Sequence, residues 1–379
     1  MLEKALIGSK WYWGWIVFLL AIMGVGLASY FLEADVALSN DVPWGILIGQ
    51  YTFFVGVAAS AVMVVLPYYL HNCTVFRKMT IFGEFLAVVA VMMTGLFILA
   101  DMGQPTRFFN LFLHPSPSSV LFWTSSALII YMVLNILIGW TVLGAERETV
   151  PPPAWIKPFI YISIPWAFSI HTTTAFVFAG LPGKPFWLSA IIAARFLASA
   201  FASGPALLII LCLIIKRFAR FDVGKEALQT LAKIVTYAMI ANVFFFGLEL
   251  FTAFYSQVPA HMFSIRYLFF GYEGYGKLVP VMWASYLLAA LALVLLIIPR
   301  TRWMEGTLIA GCLAVFISIL IEKGFGLVVG GMVPNPFEKV TEYWPTLPEI
   351  FVNTGIWATG ALILTFLYKI VVAVREEIE

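Results

Sequence analysis

At 379 residues the chain has the length of two or three soluble domains, but 62% of it is hydrophobic and only 11% charged, against about 45–50% and about 25% in soluble proteins. A water-soluble fold cannot cover that much apolar surface, so the class is a polytopic membrane protein. A net charge of +2 excludes a nucleic-acid binder, which concentrates basic residues on one face.

Apolar runs long enough to cross about 30 Å of hydrocarbon predict an all-α protein with ten transmembrane helices, near 12–32, 44–70, 79–100, 119–143, 157–180, 186–215, 230–257, 278–298, 305–322 and 349–373. The first run, Trp11 to Phe31, has no small-residue cleavage site and leads into a chain that keeps spanning, so it is read as a retained helix. The second carries Gln50 and Tyr51 near its outer end, and its Gly45-x-x-x-Gly49, Gly56 and Ala58 to Ala61 suit close helix packing. The third holds Glu84 about a turn and a half inside one end and finishes at Asp101, ahead of Gly103-Gln104-Pro105 and Arg107. On the fourth, Asn135 follows Tyr131 by one turn, so both face one way. The fifth places His171 among Ser169 and Thr172 to Thr174, after Pro165, whose ring frees a backbone carbonyl. Arg195 lies about 13 Å inside the sixth helix and Glu249 about 12 Å inside the seventh, from the same side at 1.5 Å per residue, so the two are placed to pair. The ninth is read as ending at 322, which leaves Lys323 in a loop.

Fifteen of the 22 Lys and Arg residues fall on the side of the N-terminus and six on the opposite side, with Arg195 inside a helix. Basic residues are retained in the cytoplasm, so both termini are expected there, in a multi-pass protein of the cell membrane. The outer side then holds the long connections near 101–118, 258–277 and 323–348, and loops of that kind commonly carry function. Variable loops with no partner are the duller reading. Displacing the second helix by 143 positions onto the sixth aligns Trp44 with Trp187, Phe53 with Phe196, Ala59 with Ala202 and Ser60 with Ser203. The expected organisation is two four-helix bundles of the same polarity, 44–181 and 182–323, forming a parallel repeat. A peripheral first helix lies within 1–43 and a peripheral tenth within 324–379.

A membrane cytochrome b needs imidazoles within its spans, whereas only His171 of the four histidines is well inside a helix. Cys73, Cys212 and Cys312 form no C-x-x-C pair. No haem, metal or iron–sulfur cluster bound by this chain is therefore expected. What remains is a set of polar groups at membrane depth, each a functional candidate because burying charge in hydrocarbon is costly. Asp101, Arg107, His171, Gln50 and Tyr51 fall in the outer half of the first bundle, and Glu84 alone lies toward the cytoplasm. This distribution suits a lipid-soluble quinone, which needs a proton donor or acceptor near each carbonyl and an apolar slot for its tail. Duller readings stand beside these. Arg195 with Glu249 can be a structural ion pair, Asp101 with Arg107 can fix a tight loop, Glu84 can be solvated or paired with Lys78, and His171 can simply donate to a backbone carbonyl.

Trp44-Gly45, Phe53 to Ala59, Asp101-Met102-Gly103-Gln104-Pro105-x-Arg107-Phe108, Leu113-His114-Pro115, Ser169 to Thr172 and Ala198 to Gly204 together resemble the NrfD/polysulfide reductase membrane-subunit family. The Asp-x-Gly-x-Pro-x-Arg stretch is the most specific part, and within the family the likeness is greatest to membrane subunits of complexes associated with dissimilatory sulfite reductase. The resemblance implies a haem-free subunit with menaquinone/menaquinol as its substrate, linked to sulfite and sulfur metabolism. The implied partners are an extracytoplasmic ferredoxin-like iron–sulfur subunit, a multihaem cytochrome c, a membrane haem b subunit and a cytoplasmic, heterodisulfide reductase-like iron–sulfur subunit. In polysulfide reductase relatives an Asn and a His contact the quinone where this chain reads Ile48-Gly49-Gln50-Tyr51, so the exact ligands stay open. On this reading Asp101, His171 and Tyr51 handle protons and hydrogen bonds to the head group, with Gln50 beside them. Arg107 orients Asp101 or stabilises a quinol anion, and Glu84 with Asn135 serves a proton path from the cytoplasm. Two rivals remain: a secondary transporter with a midplane site between the repeats, and an inert membrane anchor for redox partners.

Overall fold

A computed structural model describes residues 8–32, 38, 42–181, 183–333, 335 and 339–378. Among the described residues, ten helices are long and apolar enough to cross a membrane: α1 (Lys10–Phe31), α2 (Ile46–Leu70), α3 (Thr80–Asp101), α4 (Val120–Arg147), α5 (Ile156–Ala179), α6 (Ile192–Ala219), α7 (Lys225–Tyr255), α8 (Val279–Ile297), α9 (Glu305–Met332) and α10 (Leu347–Glu376). The start of α1 and the end of α10 share one face, here the terminal face; the opposite one is the distal face. Local chemistry sets several ends. Ser9 accepts from the Tyr12 N–H at the start of α1, and Thr346 with Glu349 closes a reciprocal capping box at the start of α10.

Helices α2 to α5 pack on one another in sequence, as do α6 to α9, and these groups are called the first and second unit for reference; α2 also packs against α6 and α9, and α5 against α6. Trp44 and Trp187 stack on each other at this junction, ring centroids 5.6 Å apart, with Phe178 edge-on to both. Small residues let the backbones approach. A Cβ on Gly49 would meet Gly324 Cα at 2.6 Å, and one on Gly204 would meet the Val57 carbonyl at 2.9 Å. Helix α2 breaks over residues 59–61, and the Tyr131 hydroxyl of α4 donates to the Ala58 carbonyl there at 3.3 Å. Helix α10 lies on α3, and α1 lies on α10, with Gly26 and Gly355 in backbone contact.

Two spans depart from their expected bounds. The sixth begins at Ile192 rather than 186, because Pro185 opens a separate short turn, Pro185–Trp187, and the chain enters the helix only after Ser189. Arg195 is therefore in the first turn of α6, not about 13 Å along it. The ninth runs past 322 to Met332, through the π-helical stretch Glu322–Val329. The adjacent charges Glu322 and Lys323 read as a helix end, yet both are buried, 4% and 3% exposed. Lys323 is thus a membrane-depth residue and not an outer-loop charge, and a domain boundary at 323 falls inside α9.

Candidate functional site

The chemistry-bearing side chains gather in three places. The first lies between the units, in the distal half. His171, on α5, is fully buried, and neither ring nitrogen has a hydrogen-bond partner. Thr174 stands almost one turn further along the same face, with its hydroxyl beside that of Tyr51 on α2. From the second unit comes Lys323, close enough for its charge to act on the imidazole. Its Nζ stands 4.3 Å from the Phe196 ring centroid and has no hydrogen-bond partner. A buried imidazole and a buried amine without partners each forgo hydrogen bonds worth about 1–3 kcal/mol. Such groups are more economically explained as ligands for something polar than as packing.

The second place is an ionic cluster to which all four helices of the second unit contribute. Arg195 of α6 pairs with Glu249 of α7 through one guanidinium nitrogen and with Glu322 of α9 through the other, the latter at 2.5 Å. Asn242 of α7 donates to Glu322 at 3.0 Å. The guanidinium lies 5.2 Å from the Phe246 ring, on which Tyr286 of α8 stacks at 4.5 Å. Arg195 therefore does more than pair with Glu249, since it bridges two carboxylates. Glu322 was hidden from sequence reasoning by its place at an apparent helix end; the signal available was the continuing Gly-rich apolar run Gly324 to Met332.

The third place is the terminal half of the first unit. Glu84 is 1% exposed, and neither carboxylate oxygen has a partner, which removes the reading in which it is solvated or paired with Lys78. It sits against α4, where a Cβ on Gly139 would be 3.1 Å from its Oε2. One turn from Gly139, the Asn135 side chain donates to the Tyr131 carbonyl at 2.8 Å, and Tyr131 reaches the break in α2. Toward the terminal face, a cavity of about 770 Å³ opens among Tyr68, Tyr69, Glu146, Lys157, Tyr161 and Arg375, with others. Glu146 of its wall is close enough to act electrostatically on Glu84. Arg375 anchors that wall, donating to Glu146 at 3.0 Å and to the Lys78 carbonyl at 2.6 Å.

The remaining expected site residues are dispersed. Gln50 faces α10, where its Oε1 accepts from Trp357 Nε1 at 3.2 Å. Asp101, at the distal end of α3, has Glu349 and Tyr343 as its charged and polar neighbours. Tyr343 accepts from the Ile46 N–H at 2.9 Å and donates to Glu349. Burial, above all, pushes the Tyr343 phenol up from its ordinary range, so it stays a donor. Arg107 is exposed on the short turn Pro105–Phe109, and among the described residues no ion pair joins it to Asp101. The head-group cluster that sequence places wholly in the first unit is thus divided. Tyr51 meets Thr174 and His171 lies within reach of the Lys323 charge at the junction, while Gln50 and Asp101 face α10. No group of three or more His, Cys, Asp or Glu is placed to hold a metal among the described residues.

Residues 35–335 match the family described as "Polysulphide reductase, NrfD". The chain is 24% identical to a putative membrane subunit of dimethyl sulfoxide reductase from Halobacterium salinarum, over 93% of this chain and 89% of that protein. It is 22% identical to a subunit of selenate reductase from Mesobacillus selenatarsenatis, over 87% and 85% of the two chains. It is also 23% identical to the Hdr-like menaquinol oxidoreductase integral membrane subunit of Archaeoglobus fulgidus, over 85% and 80%.

Proposed function

Because the chain belongs to the NrfD, or polysulphide reductase, family, we propose that it is the quinone-reacting membrane subunit of a respiratory redox complex. The substrate is menaquinol or menaquinone, as in the name of the archaeal relative. The single observation that carries the reading is His171, buried with both ring nitrogens free, almost one turn before Thr174, whose hydroxyl meets that of Tyr51, since an imidazole so placed can exchange a proton with a quinol oxygen. Electrons leave to a docked partner on the distal face, an extracytoplasmic ferredoxin-like iron–sulfur subunit. The rest of the assembly is a multihaem cytochrome c, a haem b membrane subunit and a heterodisulfide reductase-like iron–sulfur subunit, and it serves sulfite or sulfur metabolism by menaquinol oxidation. The terminal face is cytoplasmic, and Glu84, buried close to the cavity-lining Glu146, exchanges protons there, with Asn135 and Tyr131 above it. Asp101 and Gln50 act at the distal rim, and Arg107 lies on the outer surface near the docking side.

A site between the repeats is also what a secondary transporter would have, but the named relatives are subunits of reductases or an oxidoreductase. The test is quinol oxidation by the whole complex. His171→Ala and Asp101→Asn should each suppress menadiol-dependent reduction of the partner redox centres by tenfold or more, with the complex assembled. Unchanged turnover in both variants would leave an inert anchor as the better description.

A further inference from the structure

Lys323 is the buried charged side chain that the ionic cluster of the second unit leaves over. Arg195 engages both carboxylates, Glu249 and Glu322, and Asn242 donates to the other oxygen of Glu322. Two cations and two anions make the cluster neutral when Lys323 carries its proton, so its charge is balanced by neighbours. Its hydrogen bonds are not, because Nζ, on a residue 3% exposed, has no partner and stands over the Phe196 ring. An ammonium has three donors and no acceptor capacity. A buried site that balances charge but leaves donors open is built for a neutral or weakly anionic oxygen, since a full anion would upset the balance.

Backbone geometry gives the direction. The π-helical stretch begins at Glu322, and such insertions re-aim side chains, commonly at functional sites. Gly324 lies against Gly49, which brings this part of α9 onto the turn of α2 that bears Tyr51. His171, also without a partner, lies within reach of the Lys323 charge. The donors from the two units thus converge on one place, walled by Phe196 and Phe201.

We infer that Lys323 is a head-group ligand, donating from the second unit to one carbonyl oxygen of the quinone whose other polar contacts come from His171 and Tyr51 of the first. The inference rests on the quinone reading of this site and adds that the site is shared by both units. No bond is made or broken by Lys323; it binds and orients.

The experiment uses the whole complex, with menadiol as donor and menaquinone labelled with ¹³C at its carbonyls as the infrared probe. Glu322→Gln with Lys323→Met keeps the cluster neutral, while Lys323→Gln keeps a weaker donor in place. The double variant should lose the downshifted ¹³C=O band and at least tenfold of menadiol turnover, and Lys323→Gln should move the band part of the way back. Unaltered carbonyl bands in either variant would overturn the inference and leave Lys323 with water alone as its partner. If those variants match the unaltered complex while His171→Ala abolishes turnover, only the Lys323 assignment fails. If His171→Ala is also without effect, the quinone reading fails with it.

Discussion

Replacing Arg195 with Met should destabilise the chain through two carboxylates at once. The guanidinium is 5% exposed, and its partners Glu249 and Glu322 are 13% and 5% exposed. Water therefore cannot take over from it without opening the helix packing. Removing one partner of a buried pair costs about 3–5 kcal/mol, a factor of about a hundred to several thousand in folded population at 1.4 kcal/mol per decade. The cost falls unequally. Glu322 keeps Asn242 and the neighbouring Lys323, whereas Glu249 has no other hydrogen-bond or ion-pair partner among the described residues. Arg195→Met with Glu249→Leu should accordingly recover most of the loss, because Glu322 and Lys323 then balance each other. Arg195→Met with Glu322→Leu should recover less, since it strands Glu249. The readout is the yield of assembled complex on native gels and its thermal inactivation midpoint. Normal assembly of Arg195→Met, or equal rescue by the two double variants, would refute the reasoning.

Glu84→Gln preserves shape while removing the titratable proton, so menadiol turnover in detergent should persist while proton exchange at the terminal face of proteoliposomes falls at least tenfold; pH-sensitive dye traces check this. Gly204→Val forces a side chain toward the Val57 carbonyl, which a Cβ already approaches to 2.9 Å, and overpacking of this kind costs about 1–3 kcal/mol, visible as a lower inactivation midpoint. Reporter fusions at both ends of the chain should report the cytoplasm, as the excess of basic residues on that side predicts; a reporter found outside would refute this orientation.

The spans were legible because hydrocarbon thickness and helical rise fix how many apolar residues a crossing needs. Arg195 and Glu249 were legible as partners for a related reason: an isolated charge within a span is costly, and both lie toward the same end of their helices, although α6 starts later than the apolar run suggests. Lys323 was not. Glu322-Lys323 followed by glycine resembles a helix end, and only tertiary packing tells that the chain continues, with Gly326, Gly330 and Gly331 lying against Met282, Leu268 and Trp187. Gln50 and Tyr51 show a second limit. Neighbours on a helix point about 100° apart, so one contacts Trp357 and the other Thr174. Depth was readable for both, but which neighbouring helix each met depended on the packing of α10 and α5.

On the proposed reading, the 143-residue displacement between α2 and α6 bears on why a site would lie at their junction rather than within one bundle. Duplication alone would place the same groups on α2 and α6, yet the displacement that superposes Trp44 on Trp187 carries Gln50 and Tyr51 onto Ala193 and Ala194, and Thr52 onto Arg195. The two helices share small residues at 59–61 and 202–204 and differ in their polar positions. Thr52 satisfies itself by donating to the Ile48 carbonyl of its own helix at 2.9 Å, whereas Arg195 requires carboxylates from two other helices. The first unit can therefore present uncharged hydrogen-bonding groups without a supporting framework. The second must build an ion network, and that network includes the segment carrying Lys323. A ligand held between them would contact adaptable neutral groups on one side and a fixed charge on the other. Any change in the ionic cluster should then reach the site through α9, even where it touches no ligand directly.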